Sequence, residues 1–239
     1  MDYFYCTQIH GTSFSIDGDE STHLINVMRK QEGDEIRLVD GRGTAYDARI
    51  DALSRKVASG TILRTYPRHH EPVGDVTLAV GILKNPSKFD FLVEKVTELG
   101  VREIIPLATE RTIPAHAKAN RWQKLALAAM KQSGRSFLPL VQELRSLSDV
   151  LAFPRAYDRK LIAHQEPQSH DAAANAFQKA GSSIILIGPE GGFSDQELKQ
   201  AVAAGYHPWY LGERRLRTET AAIVAAAMAL IAPELPGGE

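Results

Sequence analysis

The apolar positions change rhythm along this chain. Up to residue 70 they come in short runs. From residue 75 they alternate between buried-strand runs and helical stripes. Residues 35–39 (EIRLV) form a strand pattern that ends in the turn Asp40-Gly41-Arg42-Gly43. Residues 43–53 and 56–65 continue with β-branched positions and polar breaks. His23, Leu24, Val27 and Met28 keep helical spacing, and Gly33 stops them. Strands around one short helix predict a small barrel. Residues 67–74 (PRHHEPVG) read as a linker.

Beyond the linker, residues 77–83 (TLAVGIL), 102–107 (REIIPL), 160–164, 183–187 and 209–211 read as strands. Helices fall between them. Residues 88–99 carry Phe89, Leu92, Val93, Val96 and Leu99 on one side and close at Gly100. Residues 120–133 do the same with Trp122, Leu125, Ala126, Ala129 and Met130. Residues 168–179 read as a helix. Ser194 and Glu197 form a capping box for a helix ending at Gly205, and residues 219–230 form the last helix. This alternation predicts an α/β domain with a mostly parallel sheet covered on both faces.

Charge and composition narrow the function. Lys and Arg number 28 against 29 Asp and Glu. That near-balance excludes a polybasic nucleic-acid binder and leaves room for an enzyme with one basic face. Cys6 is the sole cysteine, so an intramolecular disulfide and a cysteine-based zinc or iron–sulfur site are excluded, and no metal is expected. The start MDYFYCTQIH has no signal-peptide pattern, and no apolar run reaches 18 residues. A soluble cytoplasmic protein without a membrane span is expected.

Two loops carry unusual chemistry. In the first, a buried strand containing Leu186 runs into Gly188-Pro189-Glu190-Gly191-Gly192. Glycines there let backbone approach a ligand at a strand end. The spacing fits neither the dinucleotide fingerprint nor the nucleotide phosphate loop. In the second, Leu211-Gly212 leads through Arg214, Arg215, Leu216 and Arg217 into Thr218, Glu219, Thr220 and Ala221. Thr218 is the expected helix N-cap. The bland alternatives are a tight turn and a solvated charge run. A third cluster, Lys84, Lys88, Lys95, Arg111, Lys118, Arg121, Lys124, Lys131 and Arg135, is a candidate RNA face, although Lys95 and Glu98 are spaced to pair with each other.

These residues carry a resemblance. His23-Leu-Ile-Asn-Val-Met-Arg29, Lys95-Val-Thr-Glu-Leu-Gly100, Glu110-Arg111, Arg121-Trp-Gln-Lys-Leu125, Gln132-Ser-Gly-Arg135, Gly188 through Ser194, and Leu211-Gly212 with Leu216 through Ala221 occur in one order over nearly the full length. In that order the chain resembles the 16S ribosomal RNA uridine N3-methyltransferase family of the SPOUT superfamily. Asp2-Tyr3 stand where family members often carry two arginines. The resemblance implies a PUA-like, RNA-binding β-barrel over residues 1–72. It implies a SPOUT-type α/β domain over residues 73–239, with a deep C-terminal trefoil knot and a homodimer formed through it. The implied cofactor is S-adenosylmethionine, and the implied product is N3-methyluridine near the decoding centre of small-subunit rRNA.

Loop position and charge, taken with this resemblance, suggest a division of labour. Leu186, Gly188, Glu190, Gly191, Gly192, Leu211, Gly212, Leu216, Thr218, Thr220 and Ala221 would hold the cofactor. Arg217 first, and Arg135 second, would stabilise the anionic base or a phosphate. Glu219 stays open between a proton acceptor, a holder of Arg217 and a first-turn helix carboxylate. Arg29, Lys84, Lys88, Lys95, Arg111, Arg121 and Gln132 would contact RNA, and His23 and His116 are further RNA contacts or structural residues. Two rival functions remain. A dinucleotide-dependent oxidoreductase would need the glycine fingerprint that is missing. A non-catalytic RNA-binding assembly factor would need spoiled cofactor loops. A different target uridine is a third reading.

Overall fold

The computed structural model describes residues 2–113, 117–165, 177 and 179–234. Two compact units divide the chain: Met1–Glu71 with Leu127–Leu138, and Pro72–Ala126 with Pro139–Glu239.

The first unit holds β1 (Tyr3–Tyr5), β2 (Gln8–His10), β3 (Ser13–Ile16), β4 (Glu35–Val39), β5 (Thr44–Leu53) and β6 (Ala58–Pro67). They pair in the order β1-β4-β5-β6-β3-β2, with β1 parallel to β4 and the other ladders antiparallel. The sequence points only to β4, β5 and β6. β1 to β3 are three or four residues long, too short for alternation to register. The predicted helix also differs. α1 (Gly18–Thr22) starts earlier and passes into a π-turn at His23–Val27, where the Met28 amide donates to the His23 carbonyl at 3.0 Å. The π-turn ends at Val27 with Met28 as its C-cap, and Arg29 beyond it takes left-handed backbone, φ 51°, before Gly33 is reached.

Strand alternation gives this sheet two apolar faces. Phe4, Ile36, Leu38, Ala48 and Ile50 enter one cluster with Phe14, Ile16 and Leu24. Val39 and Ala45 point the other way and are covered by Met130, with Leu127 and Leu138 beside them. That second face explains why residues 127–138 join this unit.

Residues 67–74 are more than a tether. β6 reaches Pro67, and the Glu71 carboxylate accepts from Arg135 Nη2 at 2.7 Å and from the Ser136 and Phe137 amides at 2.9 and 2.8 Å.

The second unit contains β7 (Asp75–Gly81), α2 (Pro86–Leu99), β8 (Glu103–Ala108), the first half of α3 (Ala119–Ser133), β9 (Leu140–Val141), β10 (Arg145–Ser146), α4 (Leu147–Leu151), β11 (Arg159–His164), β12 (Ser182–Ile187), α5 (Asp195–Ala203), β13 (His207–Tyr210) and α6 (Thr218–Ile231). The pairings are parallel, in the order β10-β8-β7-β12-β11-β13, with β9 also on β8. Residues 183–187 are all buried, as a strand covered on both faces requires. The short β9, β10 and α4 lie outside the sequence expectation. The predicted helix over 168–179 falls almost wholly outside the described residues.

Helix ends are set by local chemistry. The Asn85 side chain accepts from the Ser87 amide and Pro86 opens α2. Gly100, at φ 114°, closes it. The Ser194–Glu197 capping box opens α5 as predicted. Glu197 also accepts from the Glu110 amide at 2.8 Å, so the same side chain holds the loop after β8. Among the described residues, no helix is long and apolar enough to cross a membrane, and no acidic, histidine or cysteine cluster could hold a metal ion.

Candidate functional site

Parallel pairing brings the carboxyl ends of β12, β11 and β13 to one edge of the sheet. Ligands bind open α/β sheets at such an edge. A cleft of about 850 Å³ lies there, within the second unit. Ile187 through Phe193 form one wall and Leu211 through Glu219 another. Ala163, His164 and Gln165 line it from the end of β11, Lys88 from α2 and Arg111 from the loop after β8.

The glycine loop is tightly folded. The Gly192 amide donates to the Pro189 carbonyl at 2.8 Å. A side chain at Gly188 would come within 3.0 Å of the Gly192 Cα. Gly81, at the end of β7, meets the Pro189 backbone. A Cβ there would stand 2.8 Å from the Pro189 Cα. Arg111 Nη1 donates to the Gly191 carbonyl at 2.8 Å and to the Phe193 carbonyl at 3.3 Å. Glu190 accepts from the Lys84 amide at 3.1 Å.

The two motifs meet directly. Thr218 Oγ1 donates to the Gly188 carbonyl at 3.0 Å across 30 residues of sequence. This corrects the expected N-cap. Arg217 occupies the cap position and Thr218 is the first helical residue, so its hydroxyl is spent on the other loop. Glu219 follows. Its Oε1 lies 3.4 Å from Lys88 Nζ, and its Oε2 is buried with no hydrogen-bond partner.

Of the residues singled out in the sequence, Gly188, Glu190, Gly191, Gly192, Leu211, Gly212, Leu216, Arg217, Thr218, Glu219, Ala221, Lys88 and Arg111 line this cleft together. Others do not. Leu186 is fully buried among Ile162, Ile184, Ala201 and Tyr206, because alternation turns it into the core while Ile187 reaches the cleft. Thr220 is exposed on α6, outside the lining.

Arg135 lines no part of the cleft. Its guanidinium pairs with Glu71, and both side chains are 3% exposed. Lys95 pairs with Glu98 at 2.7 Å, and Arg121 pairs with Asp90 at 2.7 Å. Lys84 is exposed beside the glycine loop, and Arg29 and Gln132 are exposed on the first unit. His23 is exposed there as well and lies 6.2 Å from the Phe4 ring, whereas His116 falls outside the described residues. Sequence reasoning missed Ala163, His164 and Gln165. The signal is present in the sequence, since Ala163 and His164 end the strand expected over residues 160–164.

Known proteins resemble this chain over most of its length. An RNA methyltransferase domain family matches residues 69–230, and an RNA methyltransferase PUA domain family matches residues 16–63. The ribosomal RNA small subunit methyltransferase E of Bacillus subtilis is 30% identical, over 95% of this chain and 93% of its own length. The crystal structure of a ribosomal RNA small subunit methyltransferase E from Neisseria gonorrhoeae, bound to S-adenosylmethionine, is 32% identical. It covers 96% of this chain and 98% of its own, with a TM-score of 0.84. A methyltransferase from Legionella pneumophila in complex with S-adenosylmethionine is 28% identical, covers 95% and 96% of the two chains, and has a TM-score of 0.81.

These matches correct one expectation. The sequence resemblance places the chain in the SPOUT superfamily with a deep trefoil knot. What the matches support is an α/β fold with a PUA-like N-terminal region and an RNA methyltransferase domain. Parallel pairing fixes which strands are neighbours and in what register. It does not fix how the chain threads between them, so the knot never followed from the strand pattern. The chain is an RNA methyltransferase and belongs to the ribosomal RNA small subunit methyltransferase E family.

Proposed function

We propose that the cleft binds S-adenosylmethionine and that the protein methylates N3 of a uridine in 16S ribosomal RNA, near the decoding centre. The carrying observation is the Thr218–Gly188 bond, which joins two sequence-distant loops into one ligand-sized cleft. The residues fit such a cofactor. A Cβ at Gly188 would crowd the Gly192 and Phe193 backbone at 3.0–3.2 Å, and the bare glycines leave peptide groups lining the cleft. The buried Glu219 Oε2 is an acceptor in want of a donor. Gly188, Glu190, Gly191, Gly192, Leu211, Gly212, Leu216 and Ala221 would hold the cofactor. It supplies an electrophilic methyl group when bound.

The chain's own task is to present the base. Uridine N3 carries a proton at neutral pH, and negative charge spreads onto the ring carbonyls when that proton leaves. Arg217, exposed on the cleft wall, stabilises that charge. Glu219 accepts the proton, directly or through water, and Lys88 Nζ stands 3.4 Å from its Oε1. Arg111 secures the glycine loop. N3 lies on the base-pairing edge, so the uridine must be unpaired or flipped out. Such a substrate places the protein in the cytoplasm. The reading includes a homodimer formed through the C-terminal domain, where Phe91 on α2 and Met228 and Ile231 on α6 are exposed on helices that pack together.

Titration calorimetry tests the cofactor site. Gly191→Trp places an indole against Arg111, whose Cβ lies 3.2 Å from where a side chain would begin. Affinity for S-adenosylmethionine should fall at least tenfold. Wild-type affinity in this variant would remove the cleft from cofactor binding.

A further inference from the structure

We infer that the first unit carries a stacking platform for an unpaired nucleotide of the RNA substrate: His70, backed by His69 and framed by Tyr3, Tyr66 and Arg37. The inference rests on the reading that the substrate is RNA and adds where a second nucleotide is held.

The platform begins in the strand register. Tyr3, Arg37, Asp47 and Arg64 stand directly opposite one another across β1, β4, β5 and β6, so their side chains leave the same face of the sheet. Asp47 ties this row together. It accepts from Arg37 Nε at 2.8 Å and from the Tyr66 hydroxyl at 2.7 Å. The Arg37 guanidinium lies 4.9 Å from the Tyr66 ring centroid and 6.0 Å from that of Tyr3.

The turn after β6 completes it. Arg68 and His70 both adopt left-handed backbone, φ 51° and 55°, which costs energy for residues with a Cβ. The turn is held in place nevertheless. Ser136 Oγ donates to the His69 carbonyl at 2.8 Å, and the Glu71 amide donates to the Arg68 carbonyl at 3.2 Å. The His69 and His70 rings stack with centroids 3.8 Å apart and planes 23° apart. His69 Nε2 meets the Tyr3 hydroxyl at 3.0 Å, and the Tyr66 ring lies 5.7 Å away. The stack runs from the half-buried His69 outward to the exposed His70. Burial, His70 and Arg37 hold the His69 pKa below the ordinary histidine value, which keeps its ring neutral under the stack.

The chemistry of the occupant follows. A strained, hydrogen-bonded turn that ends in an exposed imidazole offers a flat surface to another flat ring. Arg64, opposite Asp47 in the sheet, is exposed beside it, while Asp47 is committed to Arg37 and Tyr66 and Glu71 to the buried Arg135. Positive charge beside a stacking face favours a nucleotide with its phosphate over an acidic or apolar protein segment. Every base has a π-face, so the platform adds affinity without choosing the base.

The test measures binding of a fluorescein-labelled single-stranded RNA from the 16S target region by anisotropy, at one fixed salt concentration. Wild type, His70→Ala and His70→Phe are compared, and KM for RNA is measured beside it. His70→Ala should weaken RNA binding about tenfold. His70→Phe should bind like wild type, S-adenosylmethionine affinity should not move, and the loss should fall on KM. Equal binding by wild type and His70→Ala, an equal loss in His70→Phe, or no RNA binding by wild type would overturn the platform. RNA binding that depends on His70, in a protein that transfers no methyl group, would keep the platform and remove the proposed function. Methyl transfer with an unchanged KM in His70→Ala would do the reverse.

Discussion

Glu71 satisfies a buried guanidinium and two backbone amides with one carboxylate. Removing one partner of a buried pair leaves the other charge uncompensated, which costs far more than a surface ion pair is worth. Glu71→Ala should therefore destabilise the protein by about 3 kcal/mol, with Glu71→Gln milder, read from urea unfolding midpoints. A loss under about 1 kcal/mol would show that the Arg135 side chain finds water instead. Arg217 stands in the opposite circumstance, exposed on the cleft wall. Arg217→Ala should slow single-turnover methyl transfer about 100-fold while cofactor affinity stays nearly constant. Wild-type turnover at saturating RNA would end its proposed role. The two arginines look alike in sequence, each near a glycine at the end of a loop or helix. What separates them is a carboxylate 64 positions away, inside a stretch whose prolines and glycine read as a linker. Pairing at that distance leaves no local trace. The Lys95–Glu98 pair, three residues apart on one helix, did leave one.

Elements were legible where they were long and periodic. α2, α3, α5 and α6 and the strands β7, β8, β11 and β12 follow the apolar pattern because each buries a continuous stripe or run. β1 to β3, β9, β10 and α4 are two to five residues long and carry no period. The end of β7 shows what pattern alone cannot give. Residues 77–83 read simply as a strand, and nothing in that run tells that Gly81 makes room for the Pro189 backbone, more than a hundred residues on. Gly81→Ala touches no ligand. It should nonetheless lower cofactor affinity several-fold, because its Cβ would have to push the Pro189–Gly192 loop aside, and it should destabilise the fold by about 1–3 kcal/mol. Calorimetric binding and thermal unfolding of one variant read both effects. Unchanged affinity would mean that the loop yields without moving the cleft.

The whole molecule shows a division of labour that net charge conceals. A chain with charges balanced at 28 to 29 still assembles a cleft from three strand ends and two loops, and a separate unit with a cluster of arginines and aromatic rings. The alternation of strand and helix made the α/β sheet legible, and glycine and arginine density marked both loops of the cleft. The role of residues 127–138 was hidden, because their apolar side reads as ordinary helix core and gives no sign of which sheet face it covers. Labelled S-adenosylmethionine, small subunits and naked 16S rRNA lacking the modification, followed by nucleoside mass spectrometry, test the reaction itself most directly. Labelled N3-methyluridine is the expected product; label on another nucleoside, or on none with either RNA, would overturn the proposed reaction.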